Sequence, residues 1–319
     1  MADFRSRTVG GGHYREVVSS SRDLSLPAML VTVLLWASAF VGIRAVGDTF
    51  SPGSLTLGRL VVGVLALTLI ARPTVATMPR GNALALVLLY GVVWFGAYNI
   101  SLNAAERHLD AGTTALIVNI GPALVALLAG FIFKEGFPKP LVIGIGIAFA
   151  GVVLIALSTD NSSSVDTAST TGIVLCLAAA LFYAVGALAQ KPALKHVKPV
   201  MSVWLGCLVG VIVCLPFAPG LIDEISGASA HDILWLAYLG VFPTAIGFST
   251  WSYALQRISA GQAASTTYLV PAVATLISWA VLDEVPAALA FVGGALCLTG
   301  VAITRIKGRA TPLVEPAAT

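Results

Sequence analysis

The chain has 319 residues, of which 57% are apolar and only 10% charged, and its mean hydropathy is +0.92. Soluble domains carry about a quarter charged residues, so a water-coated globule is excluded and the surplus apolar surface needs lipid as its solvent. The net charge of +3 does not point to nucleic acid, because the basic residues follow loops instead of forming a patch.

The first 26 residues are polar and include Arg5, Arg7, Arg15 and Arg22. They lack the pattern of a cleavable signal and read as a disordered cytoplasmic leader. Ten apolar stretches follow, at 26–46, 55–71, 83–105, 111–133, 141–158, 172–190, 200–219, 233–255, 261–282 and 287–304. Each is about the length that crosses a hydrocarbon core of roughly 30 Å. In lipid each must satisfy its own backbone hydrogen bonds, and the alternation of a barrel strand is absent, so all ten are expected as helices. The expected fold class is all-α integral membrane with ten transmembrane helices. Cys176, Cys207, Cys214 and Cys297 all fall inside spans, where a thiol packs as a small apolar group and a disulfide framework is not expected.

The candidate functional residues can be taken span by span. The first carries Trp36, Ser38 and Phe40, and the second carries Arg59, a cation that must face water, a partner or a ligand unless it snorkels to the interface. Arg44, nearer the end of the first span, is expected to snorkel. In the third span Tyr90, Trp94 and Tyr98 recur every four positions and so share one helical face. That stripe either lines a cavity, where ring faces can contact an apolar or cationic substrate, or packs against neighbours and the interface. Asn99 and Asn103 lie close by and need partners in hydrocarbon. The fourth span contributes Asn119 and Pro122. Proline frees an upstream carbonyl, so a kink alone and a kink with a polar site are both open there. Glu135 ends this span and is expected either to cap the next helix or to take part in coupling.

Residues 159–171 form a polar linker, Thr-Asp-Asn-Ser-Ser-Ser-Val-Asp-Thr-Ala-Ser-Thr-Thr. Beyond it come Phe182 and Tyr183 in the sixth span, Pro243, Trp251 and Tyr253 in the eighth, and Tyr268 and Pro271 in the ninth, with Glu284 after it expected, like Glu135, either to cap the next helix or to take part in coupling. Pro122, Pro243 and Pro271 are the expected kink or gating points. For each aromatic, helix packing and substrate contact stand as alternatives.

Counting from a cytoplasmic amino terminus, fifteen of the eighteen Lys and Arg residues fall on the inner side. This bias predicts an even number of spans, both termini in the cytoplasm, and residence in the cell's inner membrane. Arg107 and most acidic residues, Glu106 and Asp110 among them, fall in outer loops.

Shifting the sequence by 149 positions superimposes Ala111-Gly112 on Ala260-Gly261, Pro122 on Pro271, Glu135 on Glu284, Gly144 on Gly293 and Gly151 on Gly300. A five-span unit repeated once must enter the membrane the other way up, which makes an inverted repeat. The small residues Gly144, Ala148 and Gly151, with Gly293, Cys297 and Gly300, predict close helix packing. The expected divisions are a leader at 1–26, a first repeat at 27–158, the linker, a second repeat at 172–306 and a cytoplasmic tail at 307–319.

The Trp36-Ala-Ser-Ala-Phe40 segment, Arg59, and Pro122 followed by Glu135 and Gly151 resemble the EamA family of the drug/metabolite transporter superfamily. The second half repeats the pattern through Pro271, Glu284 and Gly300. The resemblance implies two inverted five-helix halves around a central cavity, and export or exchange of amino acids, other metabolites or toxic compounds.

No span interior contains Asp, Glu, His or Lys. This favours facilitated export or exchange over tight proton antiport, and argues against an intramembrane enzyme, which needs a nucleophile with its base or clustered metal ligands. The expectation is therefore a secondary carrier of amino acids or related amphipathic compounds, with no cofactor and no metal. A drug or quaternary-cation/proton antiporter is the alternative. Its partners are a small-molecule substrate and the lipid bilayer, and pairing into a homodimer stays open.

Overall fold

The computed structural model describes residues 23–72, 78–132, 139–159, 166–258, 263, 266–284 and 286–303. The leader up to residue 22, the middle of the linker, the tail and Glu135 lie outside the described residues. Among the described residues every regular element is a helix.

Ten helical spans occur in chain order. They are α1 (Ser25–Val46), α2 (Pro52–Ala71), α3 (Asn82–Ala105), α4 (111–132), α5 (Lys139–Thr159), α6 (Asp166–Ala193), α7 (Pro199–Gly227), α8 (Ala230–Arg257), α9 (Thr267–Leu282) and α10 (Ala288–Ile303). Six of them, α1, α2, α3, α6, α7 and α8, are long and apolar enough to cross a membrane by length and composition. The other four carry shorter apolar stretches. This is a ten-helix membrane protein. Proline opens α2 and α7, where the missing N–H costs nothing. Asp110 caps α4 by accepting from the Thr113 N–H at 2.8 Å, and Ser229 with Asp232 forms a capping box at the start of α8. α6 begins at Asp166, so its helix takes up the second half of the expected linker.

Two of the described spans become π-helical midway, and they do so at matching places. Gly91–Tyr98 of α3 and Gly240–Gly247 of α8 are π-helical, and both bounds differ by the 149 positions of the sequence repeat. Such turns leave carbonyls without their usual partners. In α3 the Asn99 amide donates to the carbonyls of Trp94 and Phe95 at 3.1 and 3.0 Å. In α8 Pro243 has no N–H for the Leu239 carbonyl, and the Thr244 hydroxyl donates to it instead at 2.7 Å. The fourth span of each half is interrupted as well. α4 breaks between Val118 and Gly121, and α9 opens with a 3-10 turn at Thr267–Leu269; Pro122 and Pro271 stand in the first turns that follow.

The end of each half shows how the two units are related. A Cβ on Gly151 would lie 2.5 Å from the Gly293 carbonyl oxygen and 2.6 Å from the Cys297 nitrogen. One on Gly300 would lie 2.4 Å from the Ala148 nitrogen and 2.5 Å from the Gly144 carbonyl oxygen. The contacts are reciprocal between equivalent residues, and they descend α10 as they ascend α5, so the two helices pack antiparallel about a pseudo-two-fold axis. The Cys297 thiol donates to the Ala148 carbonyl at 3.2 Å across the same seam. Equivalent helices that run in opposite directions make the repeat an inverted one.

Candidate functional site

At the level of the helix breaks a small cavity of about 50 Å³ lies between the halves. It is lined by Trp36, Ala39 and Phe40 of α1, Arg59 of α2, Trp94, Tyr98, Asn99 and Leu102 of α3, and Val118, Asn119 and Pro122 of α4. The second half adds Tyr183, Phe248, Thr267 and Val270. The backbone irregularities explain the location: bent and broken helices cannot close on one another, so space remains where they meet.

Rings form one wall. The centroid of Trp36 lies 5.1 Å from those of Phe248 and Trp251, and Trp94 stands edge-on to Tyr183 and Phe248, each at 5.3 Å. Trp251 lies behind this wall, not in the lining. Its indole N–H donates to the Gln190 side-chain oxygen at 3.1 Å, and Gln190 donates to Ser252 at 3.1 Å. A rigid, fully bonded backing of this kind fixes the rings in front of it.

Polar atoms gather on the other side. Arg59 is 3% exposed and donates through Nε to the Thr244 hydroxyl at 3.1 Å, which ties α2 to the π segment of α8. It does not snorkel. Its Nη1, the Asn119 Oδ1 and the Trp36 Nε1 are buried without a hydrogen-bond partner among the described residues. The three residues, which carry one cationic donor, one acceptor and one neutral donor, all belong to the cavity lining.

The remaining residues singled out from the sequence serve elsewhere. Tyr90 is absent from the cavity lining; its hydroxyl bonds the Ser202 carbonyl and Oγ on α7. Asn103 donates to the Pro52 carbonyl at 3.2 Å and to Thr56 at 2.9 Å, fastening α3 to the start of α2. Ser38 bonds the Tyr238 hydroxyl at 2.7 Å. Tyr268 packs against the core beside the cavity and is absent from its lining, and Pro243 is buried within the α8 π segment.

Arg44 is not a free snorkelling cation either. Its Nε donates to Glu284 Oε1 at 2.9 Å and its Nη1 to the Glu106 carbonyl at 3.0 Å, so it joins the ends of α1, α3 and α9. Glu106 itself, expected in an outer loop, is 1% exposed. Burial pushes its carboxyl well above the usual range; Arg44 and Arg59 offset this in part, while Glu284 and Asp110 add to it.

Thr244, Phe248, Val118 and Thr267 were not anticipated as site residues. The repeat could have supplied one of them, since Phe248 is the 149-position equivalent of Asn99.

The model of the EamA-like transporter family matches the chain twice, over residues 24–157 and 170–306. The chain belongs to the EamA-like transporter family. This EamA-like protein is 34% identical over 274 residues to a Streptantibioticus cattleyicolor protein named "Probable terminal-alkyne amino-acid exporter", with 86% of this chain and 91% of that one covered. It is 34% identical to the uncharacterized transporter YdfC of Bacillus subtilis, covering 86% and 88%. A Salmonella typhimurium protein named "Probable amino-acid metabolite efflux pump" is 27% identical, covering 86% and 92%. A solved structure with 19% identity matches 91% of this chain and all of its own at a TM-score of 0.63, a likeness of fold. The protein is a multi-pass membrane transporter for small molecules.

Proposed function

We propose that this EamA-like transporter exports or exchanges amino acids or closely related amphipathic compounds by alternating access about the central cavity. The observation that carries the reading is the set of unpartnered atoms in one lining: Arg59 Nη1, Asn119 Oδ1 and Trp36 Nε1 beside a wall of rings. A guanidinium N–H suits a carboxylate, an amide oxygen suits an ammonium, and the rings suit an apolar side chain. The names of two relatives, an amino-acid exporter and an amino-acid metabolite efflux pump, agree with that chemistry. A quaternary cation suits the rings but is opposed by the buried positive charge of Arg59. The charge distribution among loops supports an inner-membrane orientation with both termini cytoplasmic.

The test is uptake into proteoliposomes preloaded with unlabelled compound, run with a panel of labelled amino acids, their decarboxylated amines and a quaternary ammonium. Counterflow of amino acids that exceeds that of the matching amines is the expected result. Preference for the amines or the quaternary cation would reverse the reading, and conversion of a compound into a new chemical species would point to an enzyme.

A further inference from the structure

Glu106 stands one residue beyond α3, at the face where α1 and α9 also end. Both of its carboxyl oxygens are buried and have no hydrogen-bond partner among the described residues. Neither nearby cation bonds its carboxyl oxygens. Arg44 uses Nε on Glu284 and Nη1 on the main-chain carbonyl of Glu106, and Arg59 uses Nε on Thr244. An ionised carboxylate held out of water with neither oxygen bonded is too costly to persist, and such a group takes up a proton instead.

Packing does not require an acid at this place. The equivalent position in the second half, 149 residues on, is Leu255, which is fully buried. A leucine fills the site in one repeat, and the other repeat keeps a carboxyl there.

We propose that Glu106 is the proton-carrying group of this transporter: it is a neutral acid while Arg44 ties the ends of α1, α3 and α9 together, and it releases its proton to the water admitted when that face opens. The proposal rests on the alternating-access reading. It also replaces the expectation of a proton-independent facilitator, which counted only carboxylates inside the spans.

The titratable groups within electrostatic reach come from every neighbouring element. They are Arg44 of α1, Arg59 of α2, Tyr98 of α3 itself, Asp110 ahead of α4, Cys176 of α6 and Glu284 after α9. Arg59 also lines the cavity, so a bound carboxylate would withdraw one of the two positive charges that favour ionised Glu106. The sign follows from linkage. The joined conformer holds Glu106 with a raised pKa, so it is favoured at low pH. Between the ordinary carboxyl range and that raised value it loses ground to the open conformer by about tenfold per pH unit.

Infrared difference spectroscopy on the full-length transporter in lipid tests this without any substrate. A protonated-carboxyl band at neutral pH, lost in Glu106→Gln and retained in Glu284→Gln, is the expected result. If Glu106→Gln does not fold, Glu106→Leu, which copies the residue of the second repeat, takes its place. Absence of the band in the unmodified protein, or its survival in the Glu106 variants, overturns the proposal. In transport the variants should lose the response to an imposed pH gradient; a gradient response unchanged from the parent also overturns it. Because the band needs no substrate, its absence is distinguishable from a wrong amino-acid assignment.

Discussion

The two halves share their irregular backbone and differ in their polar chemistry. Both carry a π segment in the third helix and a break in the fourth, each offset by 149 positions. Yet where the first half has Asn99, Asn103, Glu106 and Asn119, the second has Phe248, Ser252, Leu255 and Tyr268. The irregular backbone has been kept twice, whereas these amides and the acid occur once. On the proposed function the division is one of roles: the first half would supply most groups that hold a substrate or a proton, and the second supplies rings and the Thr244 bracket for Arg59.

The largest effect should come from the asymmetric chemistry. Arg59→Leu removes the only guanidinium among the lining residues. A charge-assisted hydrogen bond contributes about 1.5–3 kcal/mol, so apparent affinity for an amino acid in counterflow should fall about 10- to 150-fold. Arg59→Lys should restore little, because one ammonium cannot hold Thr244 and a carboxylate together. Unchanged affinity in both variants would mean that the substrate does not use this cation, and the division between the halves would have to be redrawn.

The shared backbone gives the next effects, and they should be symmetric. Gly151→Val and Gly300→Val place atoms against backbone at 2.4–2.6 Å, where neither helix can yield. Overpacking of this kind costs about 1–3 kcal/mol, and both variants should lower the thermal midpoint of the purified transporter by similar amounts. A large cost on one side only would break the symmetry claimed for the seam. The π segments offer a second matched pair. Asn99→Leu strands the Trp94 and Phe95 carbonyls, and Thr244→Val strands the Leu239 carbonyl. Each should cost about 1–3 kcal/mol in the same melting experiment. Thr244→Val should also weaken substrate affinity, since it releases Arg59.

These pairs mark what could and could not be read from the sequence. Hydropathy located all ten helices because lipid imposes one length and one composition on every span. The Gly144–Gly151 and Gly293–Gly300 runs announced the seam because close approach demands small side chains. The π turns were hidden: hydropathy is the same on a π turn as on an α turn. Of the four-residue series Tyr90, Trp94 and Tyr98, the last two line the cavity, while Tyr90 bonds Ser202 on α7. Asn99 and the Pro243-Thr244 pair were the available signal, since side chains that rescue carbonyls accompany such turns. Glu106 was read as a loop charge because span limits were set by hydropathy alone, while its burial depends on α1, α6 and α9 packing around the end of α3. Arg59 could be singled out, but its partner, 185 residues away, could not.

The smallest effect tests whether the outer tie is a strut or a latch. Arg44 and Glu284 form an ion pair with side chains 35% and 26% exposed. Solvent screens such a pair, which contributes about 0.2–1 kcal/mol. Glu284→Gln should therefore barely move the melting midpoint. Arg44, however, also donates to the Glu106 carbonyl, so Arg44→Gln loosens three helix ends at once. A latch needs only a small energy, because an equilibrium between two access states shifts about fivefold for each kcal/mol. In accessibility labelling of a cysteine introduced at Asp110, Arg44→Gln should raise the reaction rate a few-fold and Glu284→Gln less. Equal rates in both variants and the parent would make the tie a passive strut, and the asymmetry between the halves would then end at the cavity.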